Sequence, residues 1–151
     1  MLVNVEQGGA NPSISTLLRL SSALGVPLPT LVEPPAHAPM QVTRAGEGTS
    51  LWQGDRGGRG TLVATAASAD AVELWDWRLE PGETHSSAAH AVGTRELVHV
   101  HQGRLRIRAG EDSTELSGGD AASFQGDIAH IYANIGEGPA QFSMTVFEPT
   151  P

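Results

Sequence analysis

A mostly β fold is what this sequence predicts: a jelly-roll barrel preceded by a short α-helical segment. Three observations predict it. Within 151 residues, 18 Gly and 10 Pro cut the chain into short runs. Those runs alternate apolar and polar side chains with the two-residue period of a strand. Helical spacing is confined to one stretch near the N-terminus. The length suits one good core with a small appendage.

In chain order, Asn11-Pro12 is a helix start, because Asn caps free N–H groups and Pro is tolerated where no N–H partner is needed. Ile14, Leu17, Leu18 and Leu24 then share one helical face and Gly25 supplies the left-handed stop, so a helix is expected over about 12–24. "VPLPTLV" (26–32) adds at most a short turn, and the proline-dense stretch 33–39 is a linker. Beyond it the period changes from helical to alternating, which sets a domain over 40–151.

Within that domain "LVATAA", "VELWDWRL", "ELVHVH", "RLRIRA", "TELSGGDAASF", "HIYANI" and "QFSMTVF" read as strands, evenly spaced as in a sandwich or barrel. "GDRGGRG" (54–60) lacks the strand-before, helix-after setting of a nucleotide loop and reads as a hairpin turn.

Charge excludes several functions. A formal net charge of -8 argues against broad attachment to nucleic acid or to an anionic membrane. All nine basic residues are Arg, which excludes a Schiff-base or phosphate-loop lysine, and the lack of Cys excludes a thiolate nucleophile and a cysteine metal site. No apolar run is long enough to span a bilayer and no signal peptide is evident, so a cytoplasmic location is expected.

Two segments carry chemistry. The first runs from Gly82 through His90 and Glu96 to Gly103, and the second from Gly119 through His130 to Asn134. Together they resemble the paired motifs of the cupin superfamily, a small antiparallel β-barrel with Gly at its corners. The resemblance implies a double-stranded β-helix whose three His and one Glu hold a divalent transition metal such as Mn, Fe, Ni or Zn. Val92 stands where a second His usually follows the first, so His90, Glu96 and His130 remain as metal ligands, with His85 the nearest substitute. The residues leave a second reading open, in which the same side chains bind an organic ligand without metal. The pocket expected from the motifs and strand parity comprises His90, Glu96, Val98, Val100, His130 and Tyr132.

Parity also turns His99 and His101 away from Glu96, and sets Arg104, Arg106 and Arg108 opposite Leu105 and Ile107. The His pair reads as half-exposed strand surface or a subunit contact, and the Arg set as the solvated face of a strand. Trp75, Trp77 and Leu79 share a face and read first as packing between sheets, then as a ligand wall.

Residues 3–32 resemble the last part of the helix-turn-helix domain of the Xre family of regulators, carried by Glu6, Gly8, Asn11-Pro12-Ser13 and Ala23-Leu24-Gly25-Val26. Joined to a C-terminal cupin, the resemblance implies a transcriptional regulator whose barrel senses a small-molecule effector and which pairs as a homodimer on DNA. Only the tail of a reading helix fits before Gly8, so Asn11 is left as a backbone contact, and DNA binding is expected only with further N-terminal helices. A start codon placed too late is the expected cause, with a sensor-only relic as the other explanation. The alternative function is a metal-dependent cupin enzyme, a dioxygenase or isomerase, built on His90, Glu96 and His130.

Overall fold

Alternation of apolar and polar residues builds ten strands among the described residues: β1 (Thr49–Gln53), β2 (Arg59–Ala66), β3 (Ala71–Leu79), β4 (Thr84–Ser87), β5 (Arg95–Gln102), β6 (Arg104–Ala109), β7 (Asp112–Ser117), β8 (Ala121–Gln125), β9 (His130–Asn134) and β10 (Ala140–Glu148). The structure is a computed structural model that describes Thr16, Arg19, Leu20, Ser22, Ala23, residues 40–66 and residues 70–149. The strands pair antiparallel in a six-stranded sheet, β1-β2-β3-β10-β5-β8, and a four-stranded sheet, β4-β9-β6-β7. The predicted mostly β, double-stranded β-helix class is what is found.

The core lies between the sheets because each strand sends alternate side chains inward. Leu79, Val98, Val100, Leu105, Tyr132 and Phe142 are all but inaccessible to solvent. On β5 the parity is that expected: Glu96, Val98 and Val100 are buried while Leu97, His99 and His101 are exposed. Arg104, Arg106 and Arg108 are exposed on β6.

Two strands escaped the sequence reading, β1 and β4, and one run proved to be two. Residues 114–124 break at a turn in which the N–H of Asp120 donates to the carbonyl of Ser117 (2.9 Å) and the Asp120 carboxylate accepts from the N–H of Ser117 (2.8 Å). Gly119 takes φ +95° there, a conformation strained for any side chain.

The glycine-rich stretch 54–60 is a hairpin turn, as expected, and it is also a docking surface for Glu83. The buried Glu83 carboxylate accepts from the N–H groups of Arg56 (2.6 Å), Gly58 (3.3 Å) and Glu80 (2.7 Å). A Cβ on Gly58 would sit 2.0 Å from that carboxylate, which is why the turn approaches only as glycine. Thus the β1–β2 hairpin is pinned to the β3–β4 corner.

The chain divides into two units, residues 1–41 and 42–151. In the first, Thr16, Arg19, Leu20, Ser22 and Ala23 are helical, within the stretch read as helix. Asn11, the stretch 26–32 and the linker 33–39 lie outside the described residues. Among the described residues no helix is long and apolar enough to cross a membrane.

Candidate functional site

His90, Glu96 and His130 come from three parts of the fold and meet. Glu96 points inward from β5, and His130 opens β9 in the opposing sheet. His90 lies in the connection between β4 and β5, anchored by its own N–H donating to the carbonyl of Gly126 (3.0 Å). Nε2 of His90 lies 3.0 Å, and Nε2 of His130 3.1 Å, from Oε1 of Glu96. Glu96 and His130 are buried, while a third of the His90 side chain remains accessible.

Each ring and carboxylate is oriented by a second contact. Nδ1 of His130 donates to the carbonyl of Ile128 (2.8 Å), which leaves Nε2 as the lone-pair nitrogen of the neutral ring. The Tyr132 hydroxyl donates to Oε2 of Glu96, leaving Oε1 to face the imidazoles. Nε2 of His90 also meets the Ser87 hydroxyl at 3.3 Å.

The charges follow from these contacts. Burial alone would raise Glu96, but the neighbouring His130 and the Tyr132 hydroxyl outweigh it and hold the carboxyl below its ordinary value. Burial likewise pulls His130 down, and the Glu96 carboxylate with the Ile128 carbonyl more than offsets it, so His130 stands above its ordinary value. Tyr132 is pushed well up by burial and by the Glu96 charge, so it stays a protonated donor.

Around this cluster lies a cavity of about 210 Å³, room for roughly seven waters. Its polar end is His85, Ser87, His90, Glu96, His130 and Tyr132, and its apolar wall is Leu51, Trp52, Trp75, Trp77, Met144 and Val146. Three side-chain polar atoms are buried without a hydrogen-bond partner among the described residues: Trp77 Nε1, Glu96 Oε1 and His130 Nε2. All three belong to residues that line this one cavity. Glu96 Oε1 and His130 Nε2 lie 3.1 Å apart, and a proton on Nε2 would satisfy both.

The expected pocket needs one correction. Val98 and Val100 face the same way as Glu96 yet pack among the core residues and do not line the cavity. Parity specifies a face of the strand, not depth along it, and the barrel closes over these two. His85 does line the cavity, but it stands outside the three-residue cluster. Its ring packs 4.6 Å from Trp77 and 5.3 Å from Trp52, and burial holds it below its ordinary value. Trp75 and Trp77 satisfy both readings given to them, since each packs with the core and walls the cavity. Leu51, Trp52, Ser87, Met144 and Val146 were missed. The strand alternation of "QFSMTVF" aligns Met144 and Val146 with Phe142, whereas Trp52 sits on a five-residue strand next to a glycine-rich turn and gave no period to read.

Donor chemistry tests whether a metal suits the cluster. Two imidazole nitrogens and one carboxylate oxygen all lie within 4.8 Å of one another. Ligands about 2.1 Å from a shared ion at right angles stand about 3.0 Å apart, close to the two separations seen. A carbonyl holding the remote nitrogen and a hydroxyl holding the remote carboxylate oxygen are the supports that metal ligands ordinarily have. The residues fit a divalent transition ion.

Residues 75–147 match the Cupin_2 cupin domain family, and the two antiparallel sheets are consistent with the cupin double-stranded β-helix fold. The chain is also similar to a helix-turn-helix transcriptional regulator. Over 99% of its length it is 25% identical to the HTH-type transcriptional regulator SutR of Escherichia coli K12, of which it covers 79%. The crystal structure of an HTH_3 family transcriptional regulator from Vibrio cholerae matches 99% of this chain and 80% of that one, with a TM-score of 0.53 and 24% identity. KdgF from Halomonas sp. matches 74% of this chain and 96% of that one, with a TM-score of 0.55 and 16% identity; both of these structures are likenesses of fold alone.

Proposed function

We propose that this chain is the sensing part of a transcriptional regulator, in which the cupin cavity binds a small-molecule effector beside a divalent transition ion held by His90, Glu96 and His130. The observation that carries the reading is that Trp77, Glu96 and His130, whose Nε1, Oε1 and Nε2 atoms are buried without a hydrogen-bond partner among the described residues, all line one small cavity. Such atoms cost free energy unless something polar meets them. When bound, the ion supplies positive charge and open coordination positions for an oxygen or nitrogen donor of the effector. The chain's own residues shape the rest. Trp52, Trp75 and Trp77 form an apolar wall that suits a compact organic body, and Tyr132 keeps the Glu96 carboxylate in one orientation.

DNA binding belongs in this reading to a helix-turn-helix part, and pairing of two chains sets the spacing of two DNA readers. The effector acts only through unequal affinity for two arrangements of that pair. All three tryptophans of the chain line the cavity, so their emission reports its occupancy. Protein stripped with EDTA and titrated with Mn²⁺, Co²⁺ or Zn²⁺ should change its tryptophan emission and bind one ion per chain, and Glu96→Gln should abolish both. Emission and calorimetry indifferent to all three ions, in protein shown to be folded, would overturn the metal site.

One feature supports a second reading as an enzyme. Two imidazoles and one carboxylate around an ion with open positions also suit metal-dependent oxidation. Consumption of oxygen or substrate by the ion-loaded protein separates the two.

A further inference from the structure

The lining of the cavity is uneven in charge. Among the described residues that line it, Glu96 is the one acid and none is Arg. Burial holds His85 towards its uncharged form. With a divalent ion between His90, Glu96 and His130, two positive charges less the one negative charge of Glu96 leave one. A single negative charge on a ligand neutralises that end, whereas a cation is repelled and a dianion leaves a charge uncompensated away from water. Trp77 makes a demand of the same kind: its Nε1 is buried without a partner among the described residues, and an indole N–H only donates. What it lacks is an acceptor.

The rest of the lining is largely aromatic. The rings of Trp75 and Tyr132 lie 27° and 24° from the plane of Trp77, with centroids 5.9 and 6.3 Å from it, and the His85 ring sits beside Trp77 and Trp52. Trp52, Trp75 and His85 are only half-buried although each packs against another ring, so they retain accessible aromatic surface. A planar guest extends such an array by offset stacking or edge contact. Size narrows the guest further. A cavity of about 150 Å³ accepts benzene, and drug-sized ligands take about 300 Å³ or more. The 210 Å³ available here suits one six-membered ring with a carboxyl group and is too small for a second ring.

We propose that the effector is a compact aromatic monocarboxylate, its carboxylate at the His90, Glu96 and His130 end and its ring against Trp52, Trp75 and His85. This rests on the metal-bound cavity of the proposed function and adds the charge, shape and size of the ligand. Benzoate is the probe, followed by calorimetry and tryptophan emission in protein loaded with Zn²⁺, where saturable binding of one benzoate per chain is expected. Acetate, which lacks the ring, and benzyl alcohol and benzylamine, which lack the negative charge, should each bind at least tenfold more weakly. Removing Zn²⁺ with EDTA should weaken benzoate at least tenfold, and benzoate should raise the affinity for Zn²⁺ by the same factor. His85→Ala and Trp75→Leu, each shown to unfold cooperatively, should weaken benzoate at saturating Zn²⁺; the ligand series in the native chain tests the class even if neither variant folds. Zn²⁺ bound with no response to millimolar benzoate, or with acetate, benzyl alcohol or benzylamine bound as tightly, overturns the ligand class and leaves the metal site standing. Benzoate bound equally well after EDTA overturns the placement of its carboxylate. Failure to bind Zn²⁺ overturns the metal site and this reading with it.

Discussion

Nε2 of His130 lies 3.1 Å from Oε1 of Glu96, while Nδ1 of the same ring donates to the Ile128 carbonyl at 2.8 Å. A neutral ring held that way sets one lone pair against another in a buried place. The pair therefore calls for a cation, either a proton or a metal ion. Because His130 holds its proton above its ordinary value, metal must displace that proton. Apparent affinity for Zn²⁺ or Mn²⁺ should rise with pH and level off once pH has passed the raised value of the imidazole. Calorimetry across pH checks this, and proton release that does not change with pH would contradict it.

The same pair makes the stability of metal-free protein depend on pH. For His130, raised above 6.5, the stabilising contribution is complete below 6.5 and is lost as pH rises through the raised value. For Glu96, lowered from 4.5, the contribution is present above 4.5 and is lost as pH falls through the lowered value. Melting temperatures of EDTA-treated protein should thus peak between the two and decline on the alkaline side. Glu96→Gln should flatten the alkaline decline, and saturating Zn²⁺ should remove it.

Tyr132 acts on the ion through Glu96. Tyr132→Phe keeps the ring packing and removes the hydroxyl that holds Oε2, so metal affinity should fall about 10- to 100-fold with little change in the apolar wall. A loss of affinity that tracked a loss of fold, seen as a matching drop in cooperative unfolding, would assign Tyr132 to packing instead.

Glu83 is the fastening of the β1–β2 hairpin. Glu83→Gln replaces a carboxylate that accepts from three backbone N–H groups and should cost about 1.5–3 kcal/mol in denaturant unfolding. The native carboxyl sits below its ordinary value: burial alone would raise it, and the N–H groups of Glu80, Arg56 and Gly58 outweigh that. Its contribution is therefore present above 4.5 and lost as pH falls through the lowered value. The variant should lack that part of the acid loss.

Val98 supports the fold and stays out of the cavity. Val98→Ala should destabilise by about 1–3 kcal/mol through the space it leaves, while tryptophan emission should respond to metal as in the native chain. A changed metal response would return Val98 to the pocket.

How much of this was legible beforehand differs by residue. His90, Glu96 and His130 were readable because the segments 82–103 and 119–134 resemble the paired cupin motifs, and the resemblance implies that those positions converge. The inward turn of Glu96 and the outward turn of His99 followed from a two-residue period, which needs no knowledge of neighbours. Depth was not readable: Val98 and Glu96 share a face, and only the paired strands decide which of them reaches open space. Trp52 was hidden for another reason, since its position depends on a hairpin folded over from the far edge of the sheet. The role of Glu83 was hidden too, because a carboxylate in a corner sequence carries no mark of the backbone N–H groups that approach it from residues 56–58.

On β10, Met144 and Val146 face the cavity while Ser143 and Thr145, between and beside them, face outward. The wall separating interior from exterior is there a single strand thick. Side chains on its two sides are mounted on the same peptide units, so a sideways push of a few tenths of an ångström from within arrives outside with no intervening layer to absorb it. Filling the barrel and altering its outer contour are, along this strand, one mechanical event.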